Sequence, residues 1–111
     1  MPIFITQGRY TCDAVRGMVA RPEDRAEQVS RLMSRIGGRL IGYYMTFGDY
    51  DFLAIADAPD AAQMAAALVT AANGGGVSDL KTTLALSPAE AKGAFAAASE
   101  LARSFRPPGG G

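Results

Sequence analysis

Two runs rich in β-branched and aromatic residues, RLIGYYMTF (39–47) and YDFLAIAD (50–57), are separated only by Gly48 and Asp49. No other stretch constrains the fold as much. A Gly-X pair between two such runs is the signature of a two-residue type II′ turn. That turn sets an antiparallel register in which Phe47 faces Tyr50, Thr46 faces Asp51, Met45 faces Phe52 and Tyr44 faces Leu53. Side chains alternate across a strand. One face therefore carries Ile41, Tyr43, Met45, Phe47, Tyr50, Phe52, Ala54 and Ala56. The other carries Leu40, Gly42, Tyr44, Thr46, Asp51, Leu53, Ile55 and Asp57. Both faces hold apolar bulk, whereas a sheet with one wet face alternates more cleanly. Each face needs a cover, and the first is the more apolar.

The flanking segments supply two more strands. IFITQGRY (3–10) is extended and β-branched. VSDLKTTLAL (77–86) alternates, with Leu80, Thr82, Leu84 and Leu86 on one side and Asp79, Lys81 and Thr83 on the other. Thr11 can cap a short helical turn through CDAVRGM, which Gly17 keeps short. Pro22 suits the first position of the next helix, and Val29, Leu32, Met33 and Ile36 form its stripe until Gly37 and Gly38 stop it. Pro59 and Asp60 open another helix, with Gln63 placed for a capping box, and its alanine-rich body has Met64 and Leu68 as bulk. Ser87, Pro88 and Glu90 read as cap, first residue and capping-box acid of a last helix running to about Phe105. RPPGGG (106–111) reads as a disordered tail. The order predicts an α+β, ferredoxin-like βαββαβ domain over 1–105 with an appended C-terminal helix and an antiparallel four-stranded sheet. Two helices cannot cover both sheet faces, so a second copy is the economical cover, in a homodimer or larger homo-oligomer.

Composition excludes several functions. The 111 residues suit one domain, and eleven basic residues cancel eleven acidic ones. A neutral chain has no electrostatic footprint for nucleic acid or an anionic membrane. The single cysteine, Cys12, permits neither an internal disulfide nor a cysteine-based zinc cluster. The start is not basic-then-apolar, and no apolar run reaches the roughly 18 residues of a membrane span, so a cytoplasmic protein is expected. Histidine is absent. That removes the commonest general base and metal ligand, and neither a cofactor nor a metal is expected.

The pieces FGDYDFLAIADAPD (47–60), GGRLIGYYMTFG (37–48), KTTLALSPAEAKGA (81–94) and RYTCDAVRGM (9–18) resemble the GYD-domain family of small bacterial proteins. The eponymous motif stands here as Gly48, Asp49, Tyr50 and Asp51, with aspartate at 49 where glutamate is also usual. The resemblance covers most of residues 1 to 95. It implies a ferredoxin-like protein with dimeric α/β-barrel-type association, and it brings no established reaction.

Candidate chemistry centres on the hairpin. The turn accounts for Gly48 and Asp49, and Tyr50 reads as a core aromatic. Asp51 begins a strand, where aspartate is disfavoured. Two readings stand: a strand-end acid hydrogen-bonded to Thr46 or a turn amide, or a pocket carboxylate whose burial fits it to act as a base. Tyr44, Thr46, Lys81 and Thr83 are expected on the Asp51 face, and Tyr10 can line a pocket. Arg9 and Arg16 read as structural or solvated, and Cys12 as a buried, inert thiol. Asp49, Asp51 and Asp57 do not converge as a metal site. Glycines 74–76 lack the context of a phosphate loop.

Three functions remain. The first is a small-molecule-binding or regulatory homo-oligomer. The second is a cofactor-independent monooxygenase or isomerase with Asp51 as base and Tyr44 or Tyr10 positioning substrate. The third is a structural assembly domain.

Overall fold

The structure, a computed structural model, describes residues 1–110. Its elements are β1 (Ile3–Tyr10), α1 (Cys12–Ala20), α2 (Arg25–Arg35), β2 (Arg39–Met45), β3 (Phe52–Asp57), α3 (Ala61–Asn73), β4 (Val77–Ala85) and α4 (Pro88–Leu101). The strands form one antiparallel sheet in the order β2-β3-β1-β4. This is the expected ferredoxin-like arrangement, with the first crossover divided into two helices. Among the described residues no helix is long and apolar enough to cross a membrane.

The caps explain where the helices begin. Thr11 accepts a hydrogen bond from the Ala14 amide, as expected, but α1 then runs to Ala20 and is not a short turn. A glycine at position 17 costs only about 1 kcal/mol relative to alanine, which one capped helix of this length absorbs. The next helix starts at Arg25, not at Pro22, because the Asp24 carboxylate accepts from Ala26 and makes Asp24 the cap. Pro22 acts instead on its predecessor: Arg21 is held extended, at φ −138° and ψ 87°, and ends α1. The Ser87–Glu90 capping box forms with Pro88 behind the cap. Helix α4 ends at Leu101, short of the expected Phe105, and buries none of its residues. Residues 106–110 form neither helix nor strand, and Gly111 lies outside the described residues.

The hairpin register is as the sequence predicts at Met45–Phe52 and Tyr44–Leu53. The turn is wider than predicted. Thr46 donates its amide to the Asp51 carbonyl at 2.8 Å and its hydroxyl to the Tyr50 carbonyl at 2.8 Å. Among the described residues, no backbone bond joins Phe47 to Tyr50. The Asp51 amide is taken by the Gly8 carbonyl of β1 at 2.8 Å, so the ladder stops early and residues 46–51 form a loop. Gly48 does adopt a positive φ, 112°. Phe47 is 90% exposed, and Tyr50 is half-buried and outside the core. The hairpin end thus lies outside the core, and its apolar-face assignment fails there.

A bulge corrects the other end. The register shifts between Leu40 and Gly42, so Leu40 joins the Ala56 face and Ile41 is the extra residue. The core then assembles on that face. Phe4, Met33, Ala56, Ala58, Met64 and Ala67 are buried together, with Val29, Leu32, Ile36, Leu40 and Leu68 packed against them. Helices α2 and α3 therefore cover the face predicted to be the more apolar. The opposite face carries Ile3, Ile5, Leu53 and Ile55, all only partly buried.

The connection into β2 depends on Gly38. A Cβ there would stand 2.3 Å from the Asp57 carbonyl oxygen, which is backbone and cannot yield. At Gly93, inside α4, a Cβ would meet nothing within 4 Å. Gly38→Ala should destabilise the fold by about 2–3 kcal/mol. Gly93→Ala should stabilise it by about 0.5–1 kcal/mol. Urea unfolding of the two variants checks this pair of opposite signs. A neutral Gly38→Ala would contradict the packing described.

Candidate functional site

The helices over the four-stranded sheet, α3 built largely of alanine, do not fill the space beneath them. A cavity of about 540 Å³ remains between the sheet and α1, α2 and α3. Val29, Leu32, Leu40, Met64, Ala67 and Leu68 form its apolar walls. Such a volume is ordinary for a small-molecule site.

The sheet side of this cavity holds three aromatic rings. Phe52 lies 5.6 Å from Tyr43, nearly parallel at 11°, and 5.2 Å from Tyr10 at 31°. Gly8 makes this cluster sterically feasible. It lies opposite Phe52, and a Cβ on it would come within 2.6 Å of the Phe52 ring. A β-bulge in β4, where the register shifts between Gln7 and Arg9, brings Val77 opposite Tyr10. Val77 and Leu80 then line the same cavity. Asp79 at this bulge takes a positive φ of 53°.

The Tyr10 and Tyr43 hydroxyls hydrogen-bond to each other. Burial raises the Tyr43 pKa well above the ordinary phenol range, and the bond from Tyr10 adds to this, while Arg25 opposes it. Tyr43 is therefore a neutral phenol under physiological conditions. Each hydroxyl has one proton and two lone pairs, so a bonded pair still offers one proton and free lone pairs to a ligand. Deeper in the sheet, the Thr6 and Thr82 hydroxyls bond at 2.9 Å.

The residues singled out in the sequence divide among three places. Tyr10 lines the cavity. Tyr44, Lys81 and Thr83 lie on the opposite sheet face, where all three are exposed. They belong to the two edge strands, β2 and β4, with β3 and β1 between them. At about 4.8 Å per strand spacing, roughly 14 Å separates their backbones. They do not converge within one protomer. Thr46, Asp49, Tyr50 and Asp51 sit in the hairpin loop, outside the cavity lining.

Asp51 has a local structural task. Its carboxylate accepts from the Tyr10 amide at 2.9 Å, while its amide and carbonyl bond to Gly8 and Thr46. It clasps the hairpin to the end of β1 and so positions Tyr10, a different bond from either partner the sequence suggested. Asp57, at the far end of β3, pairs with Arg39 at 3.2 Å. Arg9 meets Asp79 at 4.0 Å and Arg16 meets Asp13 at 3.9 Å, all largely exposed. Cys12 is exposed, not buried, because it occupies the first turn of α1 on its solvent side.

Tyr43, Phe52, Gly8, Arg21 and Arg25 complete a site that reading the hairpin alone does not reveal. Tyr43 and Phe52 are cross-strand neighbours in the hairpin. Only the ferredoxin-like strand order, which seats β1 beside β3, brings Tyr10 to them.

Asp51→Ala leaves the Tyr10 amide without its acceptor and should cost about 1–3 kcal/mol. Asp51→Asn keeps an acceptor oxygen and should cost less. Urea unfolding of both distinguishes a clasp from a residue needed for its charge. For Tyr43, the raised pKa means the folded state holds its proton where the unfolded state releases it. Stability from this group is complete below the unfolded value of about 10 and is lost as pH rises above it. The Tyr43→Phe variant should therefore lose less stability than the wild type between neutral and strongly alkaline pH.

Comparison with known proteins agrees with this architecture. The GYD domain model matches residues 4–95. A protein of Thermus thermophilus, named glutamine synthetase and cystathionine beta-lyase binding protein, is 36% identical over 78 residues, covering 69% of this chain and 81% of its own length. The crystal structure of TTHA0845, also from Thermus thermophilus, superposes with a TM-score of 0.51 at 16% identity, covering 78% of this chain and 95% of its own, a likeness of fold. The chain belongs to the GYD domain family.

Proposed function

We propose that this protein is a small-molecule-binding regulatory protein that works as a homo-oligomer. The observation that carries the reading is the 540 Å³ cavity, apolar in its walls and equipped with the Tyr10–Tyr43 hydroxyl pair. Apolar walls with a few placed polar groups are how small-molecule sites combine affinity with orientation. The name of the Thermus relative, that of a protein which binds two enzymes, supports a regulatory role exerted through protein contacts. The uncovered sheet face supports self-association, since Ile3, Ile5, Leu53 and Ile55 gain about 25 cal/mol for each Å² of apolar surface buried.

The enzyme reading with Asp51 as base has less support. The Asp51 carboxylate is engaged by a backbone amide and stands outside the cavity. A purely structural assembly domain gains nothing from the unfilled space beneath its helices.

Native mass spectrometry of the protein purified from its own cells tests this reading. The expected result is a multiple of the 11.6 kDa chain carrying a small molecule that denaturation releases. A strictly monomeric mass would overturn the self-association. An oligomer free of ligand would overturn the binding role.

A further inference from the structure

The charges lining the cavity are confined to one rim. They are Arg21, which ends α1, and Glu23 and Arg25 at the start of α2. Glu23 and Arg25 pair with each other at 3.3 Å. Among the described residues, Arg21 has no acidic partner. Two cations and one anion leave this rim with one net positive charge. Every other lining group is neutral, and most are apolar.

We propose that the cavity takes a flat aromatic carboxylate, its ring system against the edges of the Tyr10, Phe52 and Tyr43 rings and its carboxylate at the Arg21–Arg25 rim. The proposal rests on the reading of the cavity as a ligand site and adds the chemical class. A cationic ligand would meet an unbalanced guanidinium at the rim, and a dianion would exceed the single charge there to be neutralised. A neutral ligand would gain nothing from Arg21, which water solvates in the free protein. A guanidinium and a carboxylate form charge-assisted, bidentate hydrogen bonds, the pairing Arg21 lacks. Phe52 turns its faces to Tyr43 and Tyr10, which leaves ring edges for the cavity, and edge-to-face contact favours a flat aromatic ligand over a flexible chain. The spare proton of the Tyr10–Tyr43 pair is a neutral donor for a ring substituent. The volume admits a bicyclic ring system.

The probes are 2-naphthoate, its neutral counterpart 2-naphthamide, and octanoate as an aliphatic anion. Binding is followed by isothermal titration calorimetry. Naphthoate should bind the wild type at least about tenfold more tightly than naphthamide, the ratio that 1.4 kcal/mol supplies. It should also bind more tightly than octanoate. Arg21→Ala changes an exposed residue and should fold normally. It should weaken naphthoate by about tenfold and leave naphthamide within about twofold. Phe52→Leu should weaken both naphthyl compounds more than octanoate.

Equal binding of naphthoate and naphthamide would overturn the proposal, as would tighter binding of octanoate or an Arg21→Ala variant that binds naphthoate unchanged. So would no binding of any probe. If no probe binds but native mass spectrometry shows another retained small molecule, the chemical class is wrong and the cavity remains a ligand site. If neither is found, both readings fall.

Discussion

The three bonds made by Asp51 hold together everything that gives this protein a site. Its amide and carbonyl link the hairpin loop to Gly8 on one side and to Thr46 on the other, and its carboxylate fixes the Tyr10 amide. The end of β1 also pairs with β4 at Tyr10–Val77, and the clasp adds the contact that seats Tyr10 against Phe52 and within reach of Tyr43. A carboxylate is well suited to this. It accepts without competing as a donor, and a hydrogen bond to a charged group contributes about 1.5–3 kcal/mol, more than one between neutral groups. The acid in the family motif therefore acts on the cavity from outside it, through the backbone.

A shortage of large side chains leaves the cavity, and a shortage of covering helices leaves the other sheet face bare. Helix α3 is built largely of alanine, which lets it lie close to the sheet but supplies little bulk. Met64 and Leu68 fill the space near the core, and the region under α1 stays open. Gly8 contributes in the opposite sense, by subtracting a side chain where Phe52 needs room. On the other face no helix among the described residues covers Ile5 and Ile55. The fold thus gathers its core on one face of the sheet and leaves the cavity unfilled and the other face uncovered.

Much of the fold is legible in the sequence because its signals are local. Capping residues at Thr11, Asp60 and Ser87, the stripe from Val29 to Ile36, and the alternation of the strands each depend on near neighbours. The hairpin register is legible for the same reason. The bulge at Ile41 is not, because RLIGYY carries no residue that demands one; Leu40 moves to the core face for the burial it gains there. The turn is wider than its two residues imply because the Asp51 amide has a second suitor, Gly8, forty-three positions away. The site is less legible still. Tyr10 can be picked out as a pocket residue, but Tyr44, Lys81 and Thr83 share only a face, and the strand spacing keeps them apart. Which strands become neighbours decides a site, and that is a property of the whole chain.

The central claim is that the space between sheet and helices is where this protein meets its ligand. Of its five methionines, Met18, Met33 and Met64 line that space, while Met1 and Met45 are exposed elsewhere. With the methionine methyl groups labelled with ¹³C, a titration with a small-molecule extract of the protein's own cells can be followed by NMR. The account predicts that the Met18, Met33 and Met64 signals move together and saturate while those of Met1 and Met45 stay in place. Saturable movement of Met45 with the three cavity signals unchanged would place the ligand elsewhere and contradict it.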